Sequence, residues 1–197
     1  MDTTTEFKKA LQFIESLDAL KNTYRQCLIM NGERNESTAE HSFSLAMAVL
    51  TFSRFANQEI DVPKTVKMAL FHDLAEALLG DVFHYNKQPA TEAEESEAQA
   101  LKRLLTPLQG TPLHDEIFNL WSEFENADSA EAVFLRGLDR FLPMFHNYKT
   151  KGHSWIKHGI TKEQALTKNA HIQKSSTTLW DFTQDMLEES RQKGWIL

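Results

Sequence analysis

The sequence contains one cysteine, Cys27, so no disulfide within the chain and no cysteine-rich metal site is possible. Glycine is scarce, with seven residues in 197, and period-two alternation is nearly absent, which removes the usual signature of a half-buried sheet. No stretch is long and apolar enough to span a membrane. The start, Met1-Asp2-Thr3, lacks a basic region followed by an apolar run, so no secretory signal and a cytoplasmic protein are expected. Basic residues are outnumbered, 21 Lys and Arg against 28 Asp and Glu, giving a formal net charge of -7. No basic stripe is visible, so a DNA or RNA polymer is not an expected partner. A small phosphorylated ligand is compatible with this charge, because a metal and one or two placed basic side chains can hold one phosphate.

Helical periodicity is what the chain does have. Hydrophobic residues make up 41% and charged residues 25%, ordinary values for a globular protein with a real core. Thr3-x-x-Glu6, Ser37-x-x-Glu40, Thr91-x-x-Glu94 and Thr161-x-x-Gln164 fit the capping box, in which two residues satisfy each other's free backbone N–H groups. Asp61 caps a further helix, with Pro63 tolerated in its first turn. Helices are expected at about 4–20, 38–57, 62–79, 91–106, 112–125, 129–149 and 162–193. The fold class is all-α, a single domain over 1–197 with about seven helices. The irregular pieces near 80–90 and 150–160 are candidates for lining a site.

Four polar residues fall on apolar helix stripes, where an unpaired charge is costly. His41 shares a face with Leu45, Ala48 and Phe52; His72 with Met68, Ala69, Ala75 and Leu79. Asp73 shares one with Val66, Ala69, Leu70 and Ala77; Asp139 with Ala132, Leu135 and Leu142. One divalent cation would satisfy all four. Two imidazoles and two carboxylates suit Mn²⁺, Fe²⁺, Co²⁺, Ni²⁺ or Zn²⁺, and hard Mg²⁺ less well. Glu76 lies one turn after His72, near enough to act on a water. Blander readings stand beside this one: a core histidine bonded to a carbonyl at 41, a surface His–Glu pair at 72, and an ion pair of Asp139 with Arg136 or Arg140. Pro143, four residues after Asp139, is expected to kink its helix.

The order His … His-Asp … Asp resembles the HD-domain metal-dependent phosphohydrolases. Residues 34–42, Arg-Asn-Glu-Ser-Thr-Ala-Glu-His-Ser, are similar to R-x-E-S-x-A-E-H-S in the subgroup with bacterial 5′-deoxynucleotidases and oxetanocin-type HD proteins. His72-Asp73-Leu74-Ala75-Glu76 followed by Gly80-Asp81 resembles H-D-x-x-E-x-x-x-G-D, and Leu138–Pro143 resembles the last ligand segment. The likeness runs over residues 20–165, with a helical extension over 162–197. It implies a compact helical bundle in which His41, His72, Asp73 and Asp139 hold one divalent metal (Mn, Co, Fe, Ni, Zn or Mg). Glu76, beside Asp73, would be the catalytic acid or base. Arg25 and Lys87 would reach the phosphate, and Asp81 the sugar. Gln26 stands where those enzymes carry an aromatic residue after the arginine. The implied activity is hydrolysis of a phosphomonoester, a (deoxy)nucleoside 5′-monophosphate. The alternative is a metal-containing nucleotide-binding or regulatory module without turnover. Members are often homodimers, so a second copy is an expected partner. His84 could touch substrate and His146 support the site. His114, His153, His158, His171, Trp155, Trp180 and Trp195 are read as structural or exposed.

Overall fold

Side-chain caps determine where the principal helices begin. The structure, a computed structural model, describes residues 3–81 and 96–197. Helix α1 covers Thr3–Leu17, and strands β1 (Tyr24–Leu28) and β2 (Asn35–Ser37) follow. Then come α2 (Thr38–Phe52), α3 (Val62–Phe71), α4 (Glu76–Leu79) and α5 (Glu97–Leu104). Helices α6 (Pro112–Asn126), α7 (Ala130–Lys149), α8 (His153–Lys157), α9 (Lys162–Asn169), α10 (Ile172–Ser175) and α11 (Thr177–Gln192) complete the order.

Ser37 and Glu40 form a capping box at α2, Thr161 and Gln164 one at α9, and Asp61 accepts from Lys64 N at α3. Thr91 and Glu94 lie outside the described residues. A box of Ser96 and Gln99 starts α5 instead.

The fold class is all-α as read, with more and shorter helices than seven. The span 162–193 divides at Ala170-His171 and at Ser176. A short helix, α8, occupies the piece near 150–160.

Two departures from the sequence reading shape the site. The first is the antiparallel pair β1–β2, with Tyr24 opposite Ser37 and Leu28 opposite Asn35 and an irregularity between them. Strands of five and three residues are too short to display a period. The second is a break in the expected helix 62–79. The ladder ends at Phe71 and tightens over His72–Ala75, where Leu74 N reaches Phe71 O at 3.3 Å and Glu76 N reaches Asp73 O at 3.1 Å. These are three-residue rather than four-residue bonds, the tighter helical form. Past Phe71 the helical period no longer holds, yet Ala75 stays buried with Met68, Ala69 and His72, as expected; Leu70, expected on the buried side with Asp73, is exposed.

Two apolar clusters support the elements. One gathers Leu45 and Val49 of α2, Met68 and Ala69 of α3, and Leu135 and Leu138 of α7. The other joins Phe13 of α1, Leu101 of α5 and Trp121 of α6 to Leu74 and Ala75 of the break. Phe71 packs against both, so His72 emerges where the two clusters meet. Leu45 and Val49 are fully buried, each contributing about 2 kcal/mol by area removed from water. Helix α7 runs on as one element with Pro143 inside it. At Gly137 a Cβ would lie 2.4 Å from Ser175 Cβ, so the missing side chain lets α10 close on α7. No helix among the described residues is long and apolar enough to cross a membrane.

Candidate metal centre and its cleft

His41 lies one turn inside α2, and the cap of that helix fixes where its ring points. The ring is fully buried. Its Nε2 is 3.0 Å from Asp139 Oδ1 and 3.9 Å from Asp73 Oδ2. His72, where α3 ends, is 3% exposed, which excludes a surface His–Glu pair. Its Nδ1 donates to Ala69 O at 2.8 Å. That bond fixes the tautomer and turns Nε2 inward, 3.0 Å from Asp73 Oδ2 and 3.8 Å from Asp139 Oδ1. Despite these distances, His72 Nε2 has no aligned hydrogen-bond partner. An orphaned buried nitrogen facing two carboxylate oxygens is what a metal-ligand imidazole needs. His41, His72 and Asp73 each offer one atom, all within 4.8 Å of one another, and Asp139 Oδ1 adjoins both rings. The mixed nitrogen and oxygen set fits a divalent first-row ion.

Charge in this cluster is balanced by contact. Burial pushes the His41 pKa down and Arg25 adds to this, outweighing its carboxylate neighbours. Burial opposes charge on His72 too, but Asp73 and Asp139 prevail and raise its pKa, so the two carboxylates call for a positive charge beside Nε2, a proton or a metal ion. Burial also disfavours charge on Asp139, yet the bond from His41 and the nearby His72 ring hold the carboxyl well below the usual range.

Arg25 extends from β1. Its Nη1 donates to Asp73 Oδ2 at 3.1 Å and lies 3.7 Å from Asp81 Oδ1. Burial works against its charge, but Asp73, Asp139 and Asp81 more than offset this and raise its pKa. Glu76 opens α4. Burial pushes its carboxyl up to about 8, repulsion from Asp73 adds to this, and a 2.6 Å bond from Thr38 Oγ1 opposes it. Arg25, His72, Asp73, Glu76, Asp81 and Asp139 all line one cleft of about 770 Å³. His41 is sealed behind them. Lys87 and His84 lie outside the described residues.

Of the two arginines near Asp139, Arg136 also lines the cleft but donates to Phe124 O in the last turn of α6 and to Ala127 O just past its end. Arg140 remains, its Nε 3.8 Å from Asp139 Oδ2, and it lines the cleft. Gln26 lines the cleft and accepts from Lys157 Nζ at 3.5 Å. His171, read as structural, also lines the cleft, as does the buried Trp155. Thr38 and Glu36 were missed by sequence reasoning. Both fall in the segment that starts α2, where the capping pattern accounts for polar residues without a site.

The HD domain family matches residues 17–180. A 5′-deoxynucleotidase HDDC2 from Bos taurus is 33% identical over 135 residues, covering 68% of this chain and 63% of that protein. The protein of that name from Homo sapiens is 31% identical, covering 68% of this chain and 64% of its own length. The chain thus spans slightly under two thirds of those relatives. A crystal structure described as a predicted metal-dependent phosphohydrolase from Magnetospirillum magnetotacticum superposes with a TM-score of 0.88 at 28% identity. That match covers 98% of this chain and 96% of the other. A conserved hypothetical protein from Pyrococcus furiosus, 24% identical with a TM-score of 0.62, shares the fold. With the family matched over most of its length and the His, His-Asp and Asp side chains gathered at one cleft, this chain belongs to the HD domain family.

Proposed function

We propose that the chain is a metal-dependent phosphohydrolase that cleaves a (deoxy)nucleoside 5′-monophosphate to nucleoside and phosphate. The observation that carries this reading is the inward, unpartnered Nε2 of His72 beside Asp73 and Asp139. The substrate class is supported by the relatives named 5′-deoxynucleotidase. In this reading His41, His72, Asp73 and Asp139 hold one divalent ion, Mn, Co, Fe, Ni, Zn or Mg. Such an ion acidifies a water and polarises a phosphoryl oxygen.

The chain's own groups do the rest. Arg25 would offset the charge on the equatorial phosphoryl oxygens, a role that the family resemblance extends to Lys87. Asp81 accepts from a sugar hydroxyl. Glu76, whose carboxyl is pushed up by burial and by Asp73, passes a proton to the leaving oxygen. Residues 1–197 act as one domain, the two apolar clusters being joined at Phe71. A second copy is the proposed protein partner, and exposed apolar side chains lie at Phe43, Met47 and Leu50 of α2 and at Phe7, Leu11 and Ile14 of α1.

The test is phosphate release from a panel of ribo- and deoxyribonucleoside monophosphates with added Mn²⁺ or Co²⁺. Release from 5′-monophosphates is expected. Tight binding of one nucleotide with no release would replace the enzyme with a regulatory module.

A further inference from the structure

Glu36 has no role in the proposed chemistry, yet it is 2% exposed and its carboxylate faces three donors and the His146 ring. Oε2 is 3.5 Å from Cys27 Sγ, 3.7 Å from His41 Nδ1 and 3.8 Å from Arg25 Nε. Oε1 is 3.7 Å from His146 Nε2, whose other nitrogen donates to Leu28 O at 3.0 Å. His41 Nδ1 and Arg25 Nε are buried without a hydrogen-bond partner, and both face the same oxygen.

A histidine that offers one ring nitrogen to a metal needs the other held as an N–H donor. For His72 the acceptor is the Ala69 carbonyl. For His41 the facing acceptor is Glu36. The same oxygen also faces the inner edge of the Arg25 guanidinium, whose outer nitrogen reaches Asp73. We infer that Glu36 is a positioning residue, whose carboxylate orients His41 toward the metal and Arg25 toward the phosphate.

Cys27, Glu36 and His146 also have the spacing of a metal-binding trio. Two observations assign them otherwise. The Arg25 cation approaches the same carboxylate, and burial with Glu36 nearby keeps the Cys27 thiol protonated to about pH 12. Glu36 is thus the acceptor that faces the Cys27 thiol and the His41 and Arg25 nitrogens.

This inference rests on His41 being a metal ligand, and the experiment separates the two. Mn²⁺ binding is titrated by the electron-spin signal of the free ion, for wild type, His41→Ala and Glu36→Gln, with melting curves run in parallel. Wild type should bind and His41→Ala should not. Glu36→Gln should weaken binding about ten- to a hundredfold while melting cooperatively, and should raise KM for the monophosphate through Arg25. Should the glutamine variant not fold, Glu36→Asp withdraws the carboxylate by one methylene and should weaken Mn²⁺ in the same direction. Wild-type Mn²⁺ affinity in a folded Glu36 variant, with His41→Ala deficient, overturns the inference alone. Failure of wild type to bind any divalent ion overturns the metal reading and the inference with it.

Discussion

Thr38 Oγ1 donates a 2.6 Å hydrogen bond to Glu76 Oε2, joining the first residue of α2 to the first of α4. The bond favours the charged carboxylate, while burial and Asp73 favour the protonated one, and the balance leaves Glu76 near 8. Thr38→Val removes the only one of these three influences that stabilises the charge. The Glu76 pKa should then rise further. A proton donor works below its pKa and fails above it, so the alkaline limb of the kcat profile should move to higher pH. The plateau should fall about tenfold because the carboxyl loses its anchor. Thr38→Ser should restore both. An alkaline limb that stays in place or moves down would remove Glu76 as the acid.

Cys27 should be almost inert in the folded chain. Burial pushes its thiol from 9.0 to about 12, Glu36 adds to this, and Arg25 opposes it. That shift leaves about a thousandfold less thiolate at pH 8, and the thiolate is the reacting form. Alkylation should be slow in buffer and fast in denaturant. There is also a stability consequence. Above pH 9 the unfolded chain releases this proton while the folded chain keeps it, so stability should fall as pH rises. Cys27→Ala should flatten that decline. Equal alkylation rates in folded and unfolded chain would contradict the buried position.

Helix α2 and its site residue were legible because local signals and burial agree. The Ser37–Glu40 box fixes the start, and His41 repeats with Leu45 and Ala48 on the buried face. Asp139 was legible on the same ground in α7, between buried Leu135 and Leu142. The break after Phe71 was not. Neither glycine nor proline interrupts residues 64–79, so the periodicity reads straight through. The break coincides with the point where the chain passes from one apolar cluster to the other, at Phe71, a tertiary circumstance with no local sign. Arg25 needed a family resemblance, because a five-residue strand gives its arginine no pattern to stand against. Glu36 and Thr38 carry the opposite difficulty: the cap pattern explains polar residues there too readily.

Two glycines make a matched pair for testing packing. At Gly152 the backbone has φ +77, and a Cβ would lie 1.8 Å from Trp195 O, a backbone atom that cannot swing aside. Gly152→Ala should cost about 3 kcal/mol, through strain and through displacement of the C-terminal residues. The carbonyl of Leu197 accepts from Lys162 N at 2.7 Å, so that displacement should also loosen the start of α9. Trypsin should then cut after Lys193 faster than in wild type. At Gly137 the obstacle is the Ser175 side chain. Gly137→Ala should destabilise, and Ser175→Gly in the same chain should recover most of the loss. No second-site glycine at Trp195 should rescue Gly152→Ala, because the clash there is with a carbonyl. Equal rescue at both positions would refute the distinction.

The metal reading separates ligands from the acid in one pair of variants. An ion bound only by the folded chain stabilises it by about 2.7 kcal/mol at a hundredfold excess over Kd. For a chain of this size that is a rise in Tm of about 5–10 °C with Mn²⁺. His72→Ala removes the nitrogen that faces Asp73 and Asp139, so the rise should vanish along with turnover. Glu76→Ala leaves His41, His72, Asp73 and Asp139 in place, so the rise should persist while turnover falls at least about a hundredfold. The contrast matters because either variant alone is ambiguous: loss of activity follows from many defects, and loss of the Tm rise says nothing of chemistry. A full Mn²⁺ response in His72→Ala would take this imidazole out of the ligand set. Near-normal turnover in Glu76→Ala would leave the proton at the leaving oxygen without a donor, and another group in the cleft would have to supply it.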